Sequence, residues 1–348
     1  MSALDPGVIC PKVQDQLDEM FAENNPELLQ EDNGTIMAVM SPENTSSVNV
    51  QRVVTAGGAI TNLVQVISSH RVDGSTGWED EVPKCPPENA DEPQPVENFT
   101  YSLDDGISRR FVMDKEAWRN MCSGENPERQ LAKYIAQYMN AGVQRMNQKL
   151  VASIATNFGN YWGGTVNSGS SPEALDLIAG SAPNEAFNAS GYYDMVNAMM
   201  DIGANKFFVS GAGDLRKALQ FLDIGCCNTN GADLSKLEPA MFYLDKYAQT
   251  TLTGERFIAF QPGSIIVPNF GMNVGQYEEN RGTEVKITYQ HPQTGTIFDF
   301  HFKYDVGCGD VYVWISKRYT TIYTRTNAFS LGDSMYGVNG VLQFNAAT

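Results

Sequence analysis

The chain has 348 residues, 42% of them hydrophobic and 19% charged, which supports a full core and excludes global disorder. Its 41 acids against 24 bases leave a formal net charge of −17, which repels a phosphate backbone and argues against a nucleic-acid reader. No apolar run approaches the roughly eighteen residues of a membrane span, and no basic-then-apolar leader opens the chain, so the expectation is a soluble protein made in a cytosol. The six cysteines are too few and too scattered for a disulfide scaffold, and reduced thiols are expected.

In chain order, a short amphipathic helix is predicted around Val13 to Phe21, followed by an acidic, Asn-rich stretch to Gly34 with the composition of an arm that a neighbour must hold. Residues 58–71 read as a strand centred on Val64, Val66 and Ile67, with Phe99 to Met113 as its partner. Between them, residues 72–98 carry five prolines, and eight acids against the single base Lys84 leave that stretch at −7. A loop of this length is functional, disordered or ordered by a partner, and Trp78 within it favours a partner. Glu79, Asp80 and Glu81 beside Trp78, and the basic pair Arg109 and Arg110 at the base of the loop, are therefore candidate inter-subunit contacts. An internal ion pair from the arginines to Asp104 or Asp114 is the alternative.

The next signal is a long helix from Pro127 to about Asn157. Asn126 suits the N-cap, Pro127 the first turn and Glu128 the positive end of the dipole. Leu131, Ile135, Tyr138, Gly142, Met146, Leu150 and Ile154 recur at helical spacing, and thirty or so residues give a rod of roughly 45 Å. After a Gly/Ser-rich connector over 159–171, helix and strand alternate: a helix near Tyr193 to Gly203, a buried strand Lys206 to Ser210, a helix Asp214 to Leu222 stopped by Gly225, and a strand Arg256 to Phe260. The C-terminal part is antiparallel. Phe298, Phe300, Phe302 and Tyr304 alternate with Asp299, His301, Lys303 and Asp305, giving one apolar and one wet face. Gly307 to Asp310 turn the chain into Val311, Val313 and Ile315, and Val285, Ile287 and Tyr289 supply a third strand.

Common catalytic signatures are missing: there is no Walker-type phosphate loop, His-Glu-x-x-His, Cys-x-x-Cys or nucleophile elbow. Gly211-Ala212-Gly213 before the helix of Asp214 is the nearest thing to a phosphate cradle, but Arg216 stands where a third glycine is needed, and Asp214 suits an N-cap. A metal bound by Asp299, His301, Asp305, Cys308 and Asp310 lacks the tight ligand pairing of zinc sites, and Cys226-Cys227 lack a helper base. No cofactor, metal or catalytic residue is expected.

Taken in order, these parts resemble the tailed-phage major capsid protein family. Asn197-Ala-Met-Met-Asp-Ile-Gly followed by Lys206-Phe-Phe-Val-Ser-Gly, and Ala259-Phe-Gln-Pro-Gly-Ser-Ile-Ile-Val-Pro-Asn269, are similar to segments of that family. The resemblance implies an α+β fold: an N-terminal arm (1–57), an extended β-hairpin loop (58–113, acidic tip 72–98), a peripheral domain (114–189) with a spine helix over 127–157, a compact α/β axial domain (190–275), and a return through antiparallel strands (276–348). It further implies pentamers and hexamers of an icosahedral shell around double-stranded DNA that is enclosed without specific binding. A separate scaffolding protein and a portal would be partners, the loop would lie over a neighbour, and Gly211, Gly213 and Asp214 would sit near a symmetry axis. The setting implied is the virion, assembled in host cytoplasm without a membrane. Two other readings stand beside it: an encapsulin-like compartment shell, and an α/β ligand-binding protein or enzyme without a recognisable motif.

Overall fold

The computed structural model describes residues 12–23, 33–45, 48–54, 60–69, 96–101, 105–123, 126–157, 160–162, 165–167, 173–174, 176–180, 185–201, 204–225, 239–251, 256–269, 271, 279–280, 284–323 and 340–345. The segment 70–95, with His70, Trp78, Glu79, Asp80 and Glu81, lies outside them, as do Cys226 and Cys227.

Helix α1 (Val13–Ala22) has its apolar stripe of Val13, Leu17, Met20 and Phe21 buried. The Gln14 side chain receives a hydrogen bond from Gln290 N (2.9 Å) and donates one to Gln290 O (3.1 Å), as a neighbouring strand would. Helices α2 (Gly34–Val39) and α3 (Pro42–Thr45) follow, with Ile36, Ala38 and Val39 buried. These residues, expected as part of an arm, pack against the chain's own helix Pro127–Ile154. An amphipathic stripe next to a long apolar helix finds its partner within the same chain.

Strands β1 (Val48–Val54), β2 (Ile60–Ser69) and β3 (Val96–Tyr101) form an antiparallel sheet in that order. The strand expected over 58–71 exists, but it has two partners, one of them from the stretch read as arm. Its second partner ends at Tyr101, because β4 (Asp105–Met113) joins a different sheet. Helix α4 (Lys115–Ser123) leads to α5 (Pro127–Ile154), whose 28 residues span about 42 Å. Asn126 caps α5 as expected, its Oδ1 accepting from Arg129 N at 3.0 Å. Every expected apolar position of α5 is buried except Tyr138 and Gly142, which are half-buried.

The connector holds a small hairpin, β5 (Asn160–Trp162) with β6 (Thr165–Asn167). Then come β7 (Glu173–Ala174), the pair β8 (Ile178–Ala179) and β9 (Ala186–Phe187), α6 (Ala189–Asp201), β10 (Phe207–Gly211), α7 (Gly213–Gly225), β11 (Ala240–Leu244), α8 (Lys246–Thr251) and β12 (Arg256–Phe260). β13 (Ile265–Ile266) pairs β18 (Ile322–Tyr323), and β19 (Val341–Asn345) completes a mixed sheet of order β11-β10-β12-β19-β7. That sheet is covered on both faces. Phe207, Val209, Phe257 and Ala259 pack with α6 and α7 residues, whereas Phe208, Ile258 and Phe260 join the core of α5, which is why β10 and β12 read as continuous apolar runs.

The second large sheet has the order β14-β15-β16-β17-β4, from β14 (Glu279–Asn280), β15 (Glu284–Gln290), β16 (Ile297–Tyr304), β17 (Val311–Tyr319) and β4, all antiparallel. Phe298, Phe300, Phe302, Val311, Val313 and Ile315 are buried in the cluster that contains α5. Close approach of sheet and helix requires Gly142, since a Cβ there would stand 2.7 Å from the Phe298 ring. Among the described residues no helix is long and apolar enough to cross a membrane.

Candidate functional site

The far face of this sheet carries a basic surface. Strand register fixes its layout: Lys286, His301, Trp314 and Arg110 lie side by side across β15, β16, β17 and β4. Neighbouring strands are about 4.8 Å apart, so Lys286 and Arg110 flank the row at about 14 Å. Between them the His301 and Trp314 rings stack, with centroids 4.9 Å apart. Four positions further along β17 from Trp314, Arg318 projects on the same side opposite Gly106. These groups line an open cleft of about 670 Å³. Arg110 and Arg318 are exposed, and among the described residues neither meets a carboxylate.

Asp299, which the alternating pattern places on the wet face, is only 5% exposed; Lys317, on the β17 face of Val313 and Ile315, is only 1% exposed. Thr288 Oγ1 donates to Asp299 Oδ1 (3.0 Å), and Gly271 lies close over it, since a Cβ there would stand 2.9 Å from that same oxygen. Lys317 Nζ donates to Asn269 Oδ1 at 3.1 Å. Burial pulls the Lys317 ammonium down to about 7, against the favourable charge of Asp299. His301 is also lowered, first by burial, with the Glu284 carboxylate 3.5 Å away opposing it. Glu284 also pairs with Lys303 at 3.3 Å.

Arg109 and Arg110 do not share a face. They are adjacent on a strand and so project to opposite faces. Arg110 faces the cleft, whereas the Arg109 guanidinium lies 5.3 Å from the centroid of the Tyr138 ring on α5, on which Phe111 also stacks. The internal ion pair to Asp114 does not form. Asp114 Oδ1 instead accepts from Ala117 N at 2.7 Å, and Asp104 lies outside the described residues.

The Gly211 to Asp214 turn is part of the chain's own packing. Gly211 is buried, and a Cβ there would stand 2.7 Å from Phe257 Cβ, so its glycine is explained by strand contact rather than by an anion. The helix begins at Gly213, which is exposed, and Asp214 therefore falls inside the first turn instead of at the cap. His291, next to Pro292 in a turn, is fully buried: its Nε2 bonds Asn140 Oδ1 (2.7 Å), its Nδ1 accepts from Thr294 N (3.2 Å), and Phe21 meets its ring edge-on.

A buried polar junction escaped sequence reasoning altogether. Asp245, fully buried, accepts from Thr35 N (3.0 Å), Asn147 Nδ2 (2.9 Å) and Tyr247 N (2.8 Å), joining α2, α5 and the start of α8. Asn147 Oδ1 in turn accepts from Ile36 N at 2.9 Å. Helical spacing places Asn147 inside the apolar face of α5, and that break in the pattern was the available signal.

No group of three or more His, Cys, Asp or Glu side chains among the described residues is placed to share a metal. Asp305 accepts from Gly307 N and Asp310 Oδ1 accepts from Lys115 N, which are turn and helix-start roles.

No family model and no curated protein matches the chain. Solved structures do. The capsid asymmetric unit of cyanophage A-1(L) aligns over 90% of this chain and 93% of its own with a TM-score of 0.50 at 11% identity. The capsid of Ralstonia phage GP4 covers 92% of each chain at 0.46 and 10% identity. The holo-SrpI encapsulin complex from Synechococcus elongatus covers 88% of each at 0.42 and 10%. The chain has the tailed-phage capsid fold, an α+β arrangement of long helix and antiparallel sheet with a compact, doubly covered mixed sheet.

Proposed function

We propose that this protein is a structural subunit that self-assembles into the pentamers and hexamers of an icosahedral phage capsid around double-stranded DNA. The observation that carries the reading is the fold shared with the cyanophage capsid subunit across nine-tenths of both chains. Two features on the surface support it. Helix α6 exposes Tyr193 (63%) and Met200 (53%) on one side, seven residues apart and hence on one helical face, an apolar stripe suited to a ring contact. The three strands β1 to β3 form a sheet that pairs with no other sheet among the described residues, suited to reaching a neighbour.

In this reading the chain divides as its layout implies: arm, extended loop, peripheral domain with the spine helix, axial domain and returning strands. Ring closure uses heterologous contacts, with Gly213 near the axis and the acidic loop with Trp78 over the next subunit. A separate scaffolding protein and a portal complete the assembly, which takes place in host cytoplasm and ends in the virion. With a net charge of −17, the wall holds DNA without gripping it.

Negative-stain electron microscopy of the purified protein, with and without a crowding agent, tests the assembly. Closed shells or rings of five and six are expected. A monomer that stays small at high concentration, and that a scaffolding partner does not rescue, would overturn the reading. Shells isolated from the native source with protein cargo in place of nucleic acid would make it a cellular compartment.

A further inference from the structure

On the opposite side of the same sheet from the basic cleft, a cavity of about 250 Å³ lies between α5 and the β17–β4 edge. Its origin is in the helix. Tyr138, Ala141, Gly142 and Arg145 fall on one face of α5 at successive turns, and the two small residues in the middle leave that face without side-chain bulk. A larger residue at 142 is barred by the Phe298 ring, which a Cβ there would meet at 2.7 Å. Buried Phe298 and Ile315 form the inner end of the cavity, and exposed Arg109 and Arg145 stand at its mouth. Strand register sets Arg109 directly opposite Ile315, so the β4 cation borders the apolar interior.

The two guanidinium groups meet no carboxylate among the described residues. Arg109 rests against Tyr138, 5.3 Å from the ring centroid, and Phe111 stacks on that ring at 3.8 Å, which holds the platform in place. Arg145 Nη1 donates to the neutral Gln148 Oε1 at 3.3 Å. No acid is among the lining residues, and Asp105, on the same face of β4, forms no ion pair with either arginine. An apolar interior closed by two guanidinium forks is complementary to a flat apolar body carrying one anionic head. An apolar cavity of about 150 Å³ takes up benzene, so this one has room for a fused pair of rings.

We propose that this cavity is a binding site for a small aromatic carboxylate of bicyclic size, its rings against Phe298 and Ile315 and its carboxylate between Arg109 and Arg145. Such a ligand would fasten the edge strand β4 to α5. The site goes beyond the capsid reading, which neither requires nor supplies a ligand there.

The test is equilibrium dialysis of the full-length protein against 2-naphthoate, with the neutral isostere 2-naphthamide and the bare head group acetate as controls. Small-ligand efficiencies lead to an expected Kd of about 0.1 mM for naphthoate, saturating at a single site per chain. The amide is expected to bind at least tenfold more weakly, and acetate not measurably over the same range. R109Q/R145Q changes exposed positions only, and is expected to weaken naphthoate at least tenfold while circular dichroism stays unchanged. Ala141→Leu, which fills the cavity, is expected to abolish binding, and if that variant does not fold the arginine variant decides. No naphthoate binding up to about 5 mM, equal binding of the amide, or binding indifferent to R109Q/R145Q would overturn the proposal. Shells that bind no naphthoate would sink the site and leave the assembly reading standing.

Discussion

His291 and Lys317 are bases held almost out of contact with water, and each makes stability depend on pH in a calculable direction. Burial lowers His291 from 6.5 to about 4, and its partners fit the neutral ring with the proton on Nε2, facing Asn140 Oδ1. Between those values the unfolded chain binds a proton that the folded one refuses, so the contribution is intact above about 6.5 and falls as pH descends toward 4. Urea unfolding at pH 7.5 and 5.5, both above the sequence pI of about 4.5, should show the wild type losing about 1.4 kcal/mol relative to His291→Gln. An unchanged difference would mean the ring takes up its proton as readily in the folded as in the unfolded chain. For Lys317 the window lies higher, from 10.5 down to about 7, again with stability lost as pH falls. Raising pH from 7 to 9 should therefore stabilise the wild type by about 2 kcal/mol relative to Lys317→Met. Parallel curves would refute the depressed ammonium.

Elements are joined here by polar contacts as much as by apolar ones. Asp245 satisfies donors from three helices at once, so Asp245→Ala would remove the acceptor of Thr35 N and Asn147 Nδ2 in the interior and of Tyr247 N at a half-buried helix start. Each orphaned donor costs on the order of 1–3 kcal/mol, and a total near 4 kcal/mol is expected by urea unfolding. A loss below about 1 kcal/mol would show that water replaces the carboxylate. The same junction depends on close backbone contact. A Cβ on Gly34 would stand 2.4 Å from Leu244 O, and because that obstacle is backbone, Gly34→Ala must push α2 off β11. A loss of about 2 kcal/mol is expected from overpacking, with protection of the 34–39 amides against hydrogen exchange lost first. Retained protection there would place the strain elsewhere.

At the scale of the whole molecule, the exposed α6 stripe separates folding from association. Tyr193→Asp combined with Met200→Asp changes exposed positions only, so the melting temperature should stay within about 2 °C while the concentration needed for assembly rises at least tenfold by light scattering. Normal shells from that variant would remove α6 from the ring contact.

The sequence by itself determined what depends on local chemistry. The cap and apolar face of α5, the continuous apolar runs of β10 and β12, the amphipathic stripe of α1 and the Phe298-Phe300-Phe302 face all follow from side-chain periodicity and the demands of a helix end, and they sit where those rules put them. The order of these parts was enough to point to the capsid fold. Only the tertiary structure decided what depends on partners distant in the chain. Periodicity says that a strand exists but not which strand lies beside it: β4 pairs with β17 rather than β2, β1 joins β2 from a stretch with the composition of an arm, and Arg109 and Arg110 fall on opposite faces. Alternation likewise marks a polar face without saying whether another segment covers it, and Gly271 does lie against Asp299. The basic cleft follows from the same cause: Lys286, Arg110 and Arg318 are more than two hundred positions apart at the extremes, and only strand register brings their charges to one surface.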